Sequence, residues 1–389
     1  MRRRRKRFLR LIAAAAAATA CDASSSTDWP IRSDSAGVMQ ARWGPTDVPL
    51  SWSFEPVVDI GGQAEGPAAF GRVMPSGIGV DGAGRIHVLD VLNFRVSVFD
   101  RTGDFIRSVG RSGSGPGEFR FPSDLAVRAD GAIAVFDFDR RAFVVFGADG
   151  SPLDEVPAPG PLMRRAAFGE HGITGSYVIE SGSGDTATIQ LTVRNPGDTG
   201  SATLASIAET PVHQVDFGCA VVGFRSLLGP RLVWSGNGHR TAVAAGTNYT
   251  ITLFAGTQPV GRWSRAFEPL AGTVTLAAAE LGGDSLRLPG PGSCRLPVAM
   301  AAERIGFADT APHIVDLAVS PDGGLWVARL DRAGVRSIDV WSADGDYLGT
   351  LPPTAPYPAA FRGPDEIVTV ERDSLGVARV RVWRIIRSS

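Results

Sequence analysis

Lysine is all but missing from these 389 residues: Lys6 is the only one. The pattern fits a GC-rich coding bias rather than any chemistry. Basic charge is also misplaced for work on nucleic acid. Seven of the 39 basic residues lie before residue 11, and no Asp or Glu occurs before Asp22, so the chain after residue 20 carries 32 basic against 40 acidic residues, a net charge of −8. Phosphate neutralisation needs clustered Lys or Arg, and no basic stripe is present, which excludes nucleic acid as a partner. Long apolar runs are lacking too. None after residue 20 can span a bilayer as a helix. Histidine is sparse: His87, His171, His213, His239 and His313 stand alone, without a His-x-x-x-His or other local metal pattern. No Gly-x-Ser-x-Gly elbow occurs, and no Ser/His/Asp arrangement can be assigned.

Glycine (47) and proline (27) are abundant and scattered, which suits many short strands joined by tight turns. The first 20 residues are an address. Arg2–Arg10 is almost wholly cationic, Leu11–Ala20 is short and apolar, and small residues end it. Charge and apolarity are segregated along the chain, as in a secretory signal peptide. Ala18-Thr19-Ala20-Cys21 resembles a bacterial lipobox, which makes Cys21 the lipidation site, although Ala stands where Leu is usual. Ordinary cleavage after Ala20 is the alternative. Arg5-Lys6-Arg7 resembles a twin-arginine motif with Lys in place of the second Arg, so the export route stays open. Residues 21–47 then read as a flexible tether, and 48–389 as the folded domain.

That domain repeats itself. Gly61-Gly-Gln-Ala-Glu-Gly-Pro-Ala-Ala-Phe70 aligns with Gly110-Arg-Ser-Gly-Ser-Gly-Pro-Gly-Glu-Phe119. Gly84–Asp90 aligns with Gly131–Asp137, and Val96–Gly103 with Phe143–Gly150. A third copy runs through Val319–Gly323, Leu325–Val327 and Ile338–Gly345. One unit holds four short strands in under 50 residues, the blade of a propeller. A blade cannot bury both faces alone, so its strands are apolar nearly throughout. These residues resemble the NHL-like six-bladed propellers of bacterial exported lipoproteins. The resemblance is strong over 58–156 and 312–351 carries a lesser share. It implies a fold and a location, and little chemistry.

The expected fold is therefore all-β: a six-bladed β-propeller of four-stranded antiparallel blades. Blades fall at about 73–109, 120–156, 163–207, 230–265 and 312–351. The sixth combines Tyr357–Phe361, Glu366–Glu371 and Ala378–Ile385 with Ser51–Ile60, so that the N- and C-terminal strands close the ring. Between blades four and five, 266–311 is an insertion in which Val274–Leu281 and Val298–Ile305 have helical composition. Cys219 and Cys294 lie in neighbouring connectors on one face. With Cys21 consumed by lipid, they are expected to pair as a disulfide.

Other constellations read as structural. The glycine-rich 110–119 loop lacks the Lys-Ser/Thr of a phosphate loop and joins strand to strand, so Phe119 anchors a connector. Asp90, Asp137 and Asp139 read as turn caps. Trp326 and Trp341 read as core. No cofactor is expected. The leading reading is a binding or scaffold propeller of the cell envelope, held to a membrane by lipid, serving an unidentified envelope protein, glycan or small molecule. The rival is a lactonase-like or lyase-like enzyme with a metal on the central axis. It needs ligands on the innermost strands, yet Gly77–Asp81, Leu125–Arg128, Leu232–Trp234 and Leu317–Ser320 are mostly small or apolar.

Overall fold

Runs such as Ile133-Ala-Val-Phe-Asp137 are bounded by turn residues and rich in β-formers, and each makes a strand of about five residues buried on both faces. In the computed structural model, which describes residues 29–158, 162–169, 172–180, 187–194, 201–208, 210–289, 294–373 and 376–387, these strands build a ring of six four-stranded antiparallel blades. The leader 1–20 and Cys21 lie outside the described residues, as does His171.

Blade one is Val73–Val80, Ile86–Asp90, Arg95–Phe99 and Phe105–Val109. Blade two is Pro122–Val127, Ile133–Asp137, Ala142–Phe146 and a two-residue outer strand, Val156–Pro157. Blade three uses Leu162–Gly169, Gly172–Glu180, Ala187–Arg194 and Ala202–Ala208. Blade four uses Arg231–Gly236, Thr241–Gly246, Thr250–Ala255 and Gln258–Arg265, and blade five Ile314–Val319, Leu325–Leu330, Arg336–Trp341 and Tyr347–Leu351. The first strand of each lies nearest the axis. Neighbouring blades stack through apolar seams: Leu89, Val96, Phe119, Leu125, Val135 and Phe146 form the one between blades one and two.

Blade six closes the ring. Ala360–Phe361, Glu366–Arg372 and Ala378–Ile386 are joined by an outer strand from the other end of the chain, Ser53–Gly61, whose pairing runs from Ser53↔Ile386 to Gly61↔Arg379. Ordinary ladder hydrogen bonds thus tie the two ends and remove two edges.

Residues 21–47 are not a tether throughout. Strands β1 (Ile31–Ser35) and β2 (Val38–Trp43) form a hairpin, and β2 lies parallel on the outer strand of blade four, from Met39↔Gly261 to Trp43↔Arg265. The turn is two residues, Ala36 and Gly37, both at positive φ (54° and 79°), the conformation that matches hairpin twist. The pairing partner is more than 200 residues away, so local polarity misleads here. β1 is exposed along its length, whereas Ala41 of β2 is buried. The chain then crosses to blade five, where Thr350 donates to Val48 O (2.7 Å) and Leu50 donates to Thr350 O (2.9 Å).

The insertion folds as a cap. Helices α1 (Val274–Leu281) and α2 (Val298–Ile305) carry Leu276, Ala277, Ala301, Ala302 and Ile305 into a second core, touched from blade five by Leu330. Val215, Phe217 and Leu227 of the preceding connector complete that core. Thr273 caps α1, its side chain accepting from Leu276 N at 3.2 Å.

Candidate functional site

In a four-stranded antiparallel blade, the interblade connectors and the middle hairpins share one face. Here that face carries the cap, and it owes its order to repeated clamps. The Asp90 carboxylate accepts from Gly71 N and Arg72 N, both at 2.9 Å, and from Asn93 Nδ2 at 2.6 Å. Asp137 does the same one blade on, accepting from Arg120 N (2.6 Å), Phe121 N (3.1 Å) and Arg140 N (3.2 Å). Each buried carboxylate ties a connector to a hairpin. Asp139 is exposed. Phe119 is fully buried against Gly110, which explains the glycine-rich loop as a connector anchor.

At the seam of blades four and five lies a buried charge network that the sequence does not announce. Arg265 and Arg329 are 4% and 5% exposed, and Asp339 is fully buried between them. Arg265 Nη1 donates to Asp339 (2.9 Å), and Arg329 Nε to both Asp339 oxygens (3.1 and 3.0 Å). Asp47, arriving from the N-terminal segment, takes Arg265 at 2.8 Å and Arg329 at 2.5 Å. Burial opposes ionisation of Asp47, but the Arg329 charge and the hydrogen bonds from both arginines outweigh it and hold its carboxyl below the ordinary value. Arg265 also donates to the carbonyls of Gly44, Pro45 and Thr46, and its guanidinium lies 4.4 Å from the Phe267 ring and 4.1 Å from that of Tyr347. Two cations and two anions thus satisfy one another and fasten the N-terminal segment to two blades. This is a fastening and not a binding site, because its groups point at each other.

The other expected residues are dispersed. His87 is buried in blade one, its Nε2 3.0 Å from Asp81. His213 Nε2 meets Ile305 O at 2.9 Å, and His313 stacks on Phe267 with Nε2 2.9 Å from Glu268 O. His239 is exposed in a turn. Among the described residues, no three or more His, Cys, Asp or Glu side chains are grouped to hold a metal ion. Trp326 and Trp341 are buried at 3% and 1% exposure. In the cap, Cys219 and Cys294 are joined as a disulfide, with Cα atoms 5.8 Å apart.

What the sequence reading missed is a cleft of about 680 Å³ between blades five and six. Ala355 lines it and belongs to the buried seam of Trp326, Ile338, Leu351 and Ile367. Trp52, Phe54, Tyr357 and Trp383 pack on that seam half-buried and line the cleft. Pro352, Pro353, Pro356 and Pro358 of the connector form one wall, with Pro75 of blade one facing them. Asp316, Arg336 and Glu371 bring charge. Glu371 is held by Arg381 Nη1 at 2.8 Å and by Thr369 Oγ1 at 3.1 Å, and the Arg336 guanidinium lies 5.5 Å from the Tyr357 ring. The lining is polar and apolar in about equal measure, and the cleft is open to solvent on one side. The proline density of 352–358 was the one signal in the sequence that pointed here.

Comparison with known proteins adds the following. The DUF5128 family model, described as a 6-bladed beta-propeller, matches residues 76–160. A candidate exported protein from Bacteroides fragilis NCTC 9343 is 15% identical, with 90% of this chain and 99% of that one covered and a TM-score of 0.51. A DUF4221 family member from Bacteroides vulgatus ATCC 8482 is 8% identical over 78% of this chain and 90% of its own, with a TM-score of 0.44. No functionally curated protein matches. Blade count, closure, the family-model match and the likeness to the Bacteroides fragilis structure together establish the fold, a six-bladed β-propeller.

Proposed function

We propose that this is an exported binding propeller of the NHL-like type, anchored through lipid on Cys21, which captures its ligand in the cleft between blades five and six. The cleft carries the reading: it is roomy, rigid on its proline side and lined by aromatic and charged side chains. The leader, with its cationic start, apolar Leu11–Ala20 and terminal Cys21, supports export and anchoring. So does the likeness in fold to an exported-protein candidate.

Ligand screening of the purified mature chain tests it. Trp52 and Trp383 border the cleft, so a bound small molecule, glycan or peptide shifts tryptophan emission and raises Tm. Replacing Ala355 in the cleft lining by Trp fills the space and abolishes the shift. If libraries of all three kinds leave wild-type emission and Tm unmoved, the reading fails. In cells, Cys21→Ala moves the protein from the membrane fraction to the soluble one. Retention on the membrane would overturn the anchor.

A further inference from the structure

We infer that the ligand of the cleft is a short peptide with free charged ends, bound as a zwitterion with an apolar side chain against the proline wall. The inference rests on the cleft being the binding site and names what enters it.

Three observations converge. First, the cleft offers both signs of charge. Arg336 is exposed and, among the described residues, makes no ion pair; its guanidinium has the Tyr357 ring beneath it at 5.5 Å. It is a forked donor free to take a carboxylate. On the acid side, Glu371 is already oriented. Arg381 reaches it at 2.8 Å while also reaching Asp59 at 3.0 Å, so the Glu371 carboxylate is fixed in place yet still a third exposed, with acceptor capacity left for an ammonium. Asp316 adds a second carboxylate to the same lining.

Second, the walls offer apolar surface. Arg381 lies over the Trp383 ring at 5.3 Å, and Arg387 over the Trp52 ring at 5.0 Å, so a guanidinium holds each indole in place. The indoles and the prolines of the lining are surface against which an aliphatic or aromatic side chain buries area.

Third, the wall is stiff. Four prolines in the seven residues 352–358 fix its shape before anything binds, which lowers the ordering cost that a short, flexible ligand otherwise imposes.

Titration of the intact mature chain with a pooled tripeptide library, read by calorimetry and tryptophan emission, tests this. Free-ended peptides bind, and the same library acetylated and amidated at its ends binds at least tenfold more weakly. Arg336→Ala loses about tenfold for free-ended peptides and nothing for the amidated set. Arg336 is exposed, so folding is not at stake, and far-UV circular dichroism checks it. Glu371→Gln does the converse, discriminating against the free amino end only. Equal binding of capped and free peptides, or indifference to both variants, overturns the peptide assignment. So does maltotriose binding that Ala355→Trp abolishes, although the cleft then stands as the site. Failure of every probe class overturns the site itself.

Discussion

Asp81 shows how a single residue acts through its neighbours. It is 5% exposed in the first turn of blade one, where its carboxylate takes Arg85 Nε at 2.6 Å, His87 Nε2 at 3.0 Å and the backbone N–H groups of Ala83 and Arg85, each at 3.0 Å. Burial pushes its pKa up, but these hydrogen bonds more than offset that and lower it from 3.8 to about 2. A depressed carboxylate stabilises the fold above its unfolded pKa, and the contribution is lost as pH falls through the folded one. Asp81 therefore contributes on the order of 2 kcal/mol above about pH 5, fading between pH 4 and pH 2. Denaturant titrations of wild type and Asp81→Asn should differ at pH 6 and converge near pH 2. A gap of the same size at both would mean that ionisation is not the source. In the sequence Asp81 was legible only as the last residue of the innermost strand Gly77–Asp81. The buried His87 that completes the arrangement faces it across a hairpin, and a sequence does not state which side of a strand meets which turn.

At the scale of elements, the connectors matter as much as the strands. Gly110 has φ +81°, and a Cβ built there would lie 2.1 Å from the Phe119 ring. Gly110→Ala meets both a backbone penalty and an overpacked ring. It should cost about 2–4 kcal/mol. Gly37→Ala has a similar φ of +79° but nothing within 4 Å, and should cost about 1 kcal/mol. Urea midpoints of the two variants separate steric from backbone effects; equal losses would show that Phe119 yields. The loop's role was readable because it recurs: Gly61 and Phe70 repeat the contact in the preceding unit, with the ring 3.2 Å from a Cβ built on Gly61. The N-terminal hairpin gave no such signal. It occurs once, and its partner is an edge that exists only after blade four has formed.

Over the whole molecule, the cap is joined to the ring by few contacts, Leu330 of blade five on its core and Arg231 of blade four on Glu280 among them. The cap has its own core around Leu276 and Ile305, and the Cys219–Cys294 bridge joins its two halves across 75 residues of sequence. A cross-link closing so long a loop is worth roughly 4 kcal/mol by chain entropy. Reduction, or a Cys294→Ser variant, should therefore loosen the cap first. Amide exchange should rise in Val212–Arg225 and in α1 and α2 while the blade strands stay protected. Uniform loss of protection across blades and cap would show instead that the two unfold as one. The ring is expected to hold because Ser53–Gly61 closes it against Ala378–Ile386, a pairing in which the bridge takes no part.

The sequence by itself determined the repeat, and with it the four-stranded blade, the count of six, the closure by the chain ends and the two cap helices. Those features follow from turn chemistry, apolar runs and spacing, all of which are local or periodic. Tertiary structure alone decided the rest. Whether residues 31–43 pair depended on an open edge on blade four. Asp47, Arg265, Arg329 and Asp339 became one network because two blades and an N-terminal segment converge, and nothing in their spacing encodes that. The cleft arose the same way. Trp52, Asp316, Arg336, Tyr357, Glu371 and Trp383 are scattered over more than 330 residues, and only the closure of the ring places them around one space.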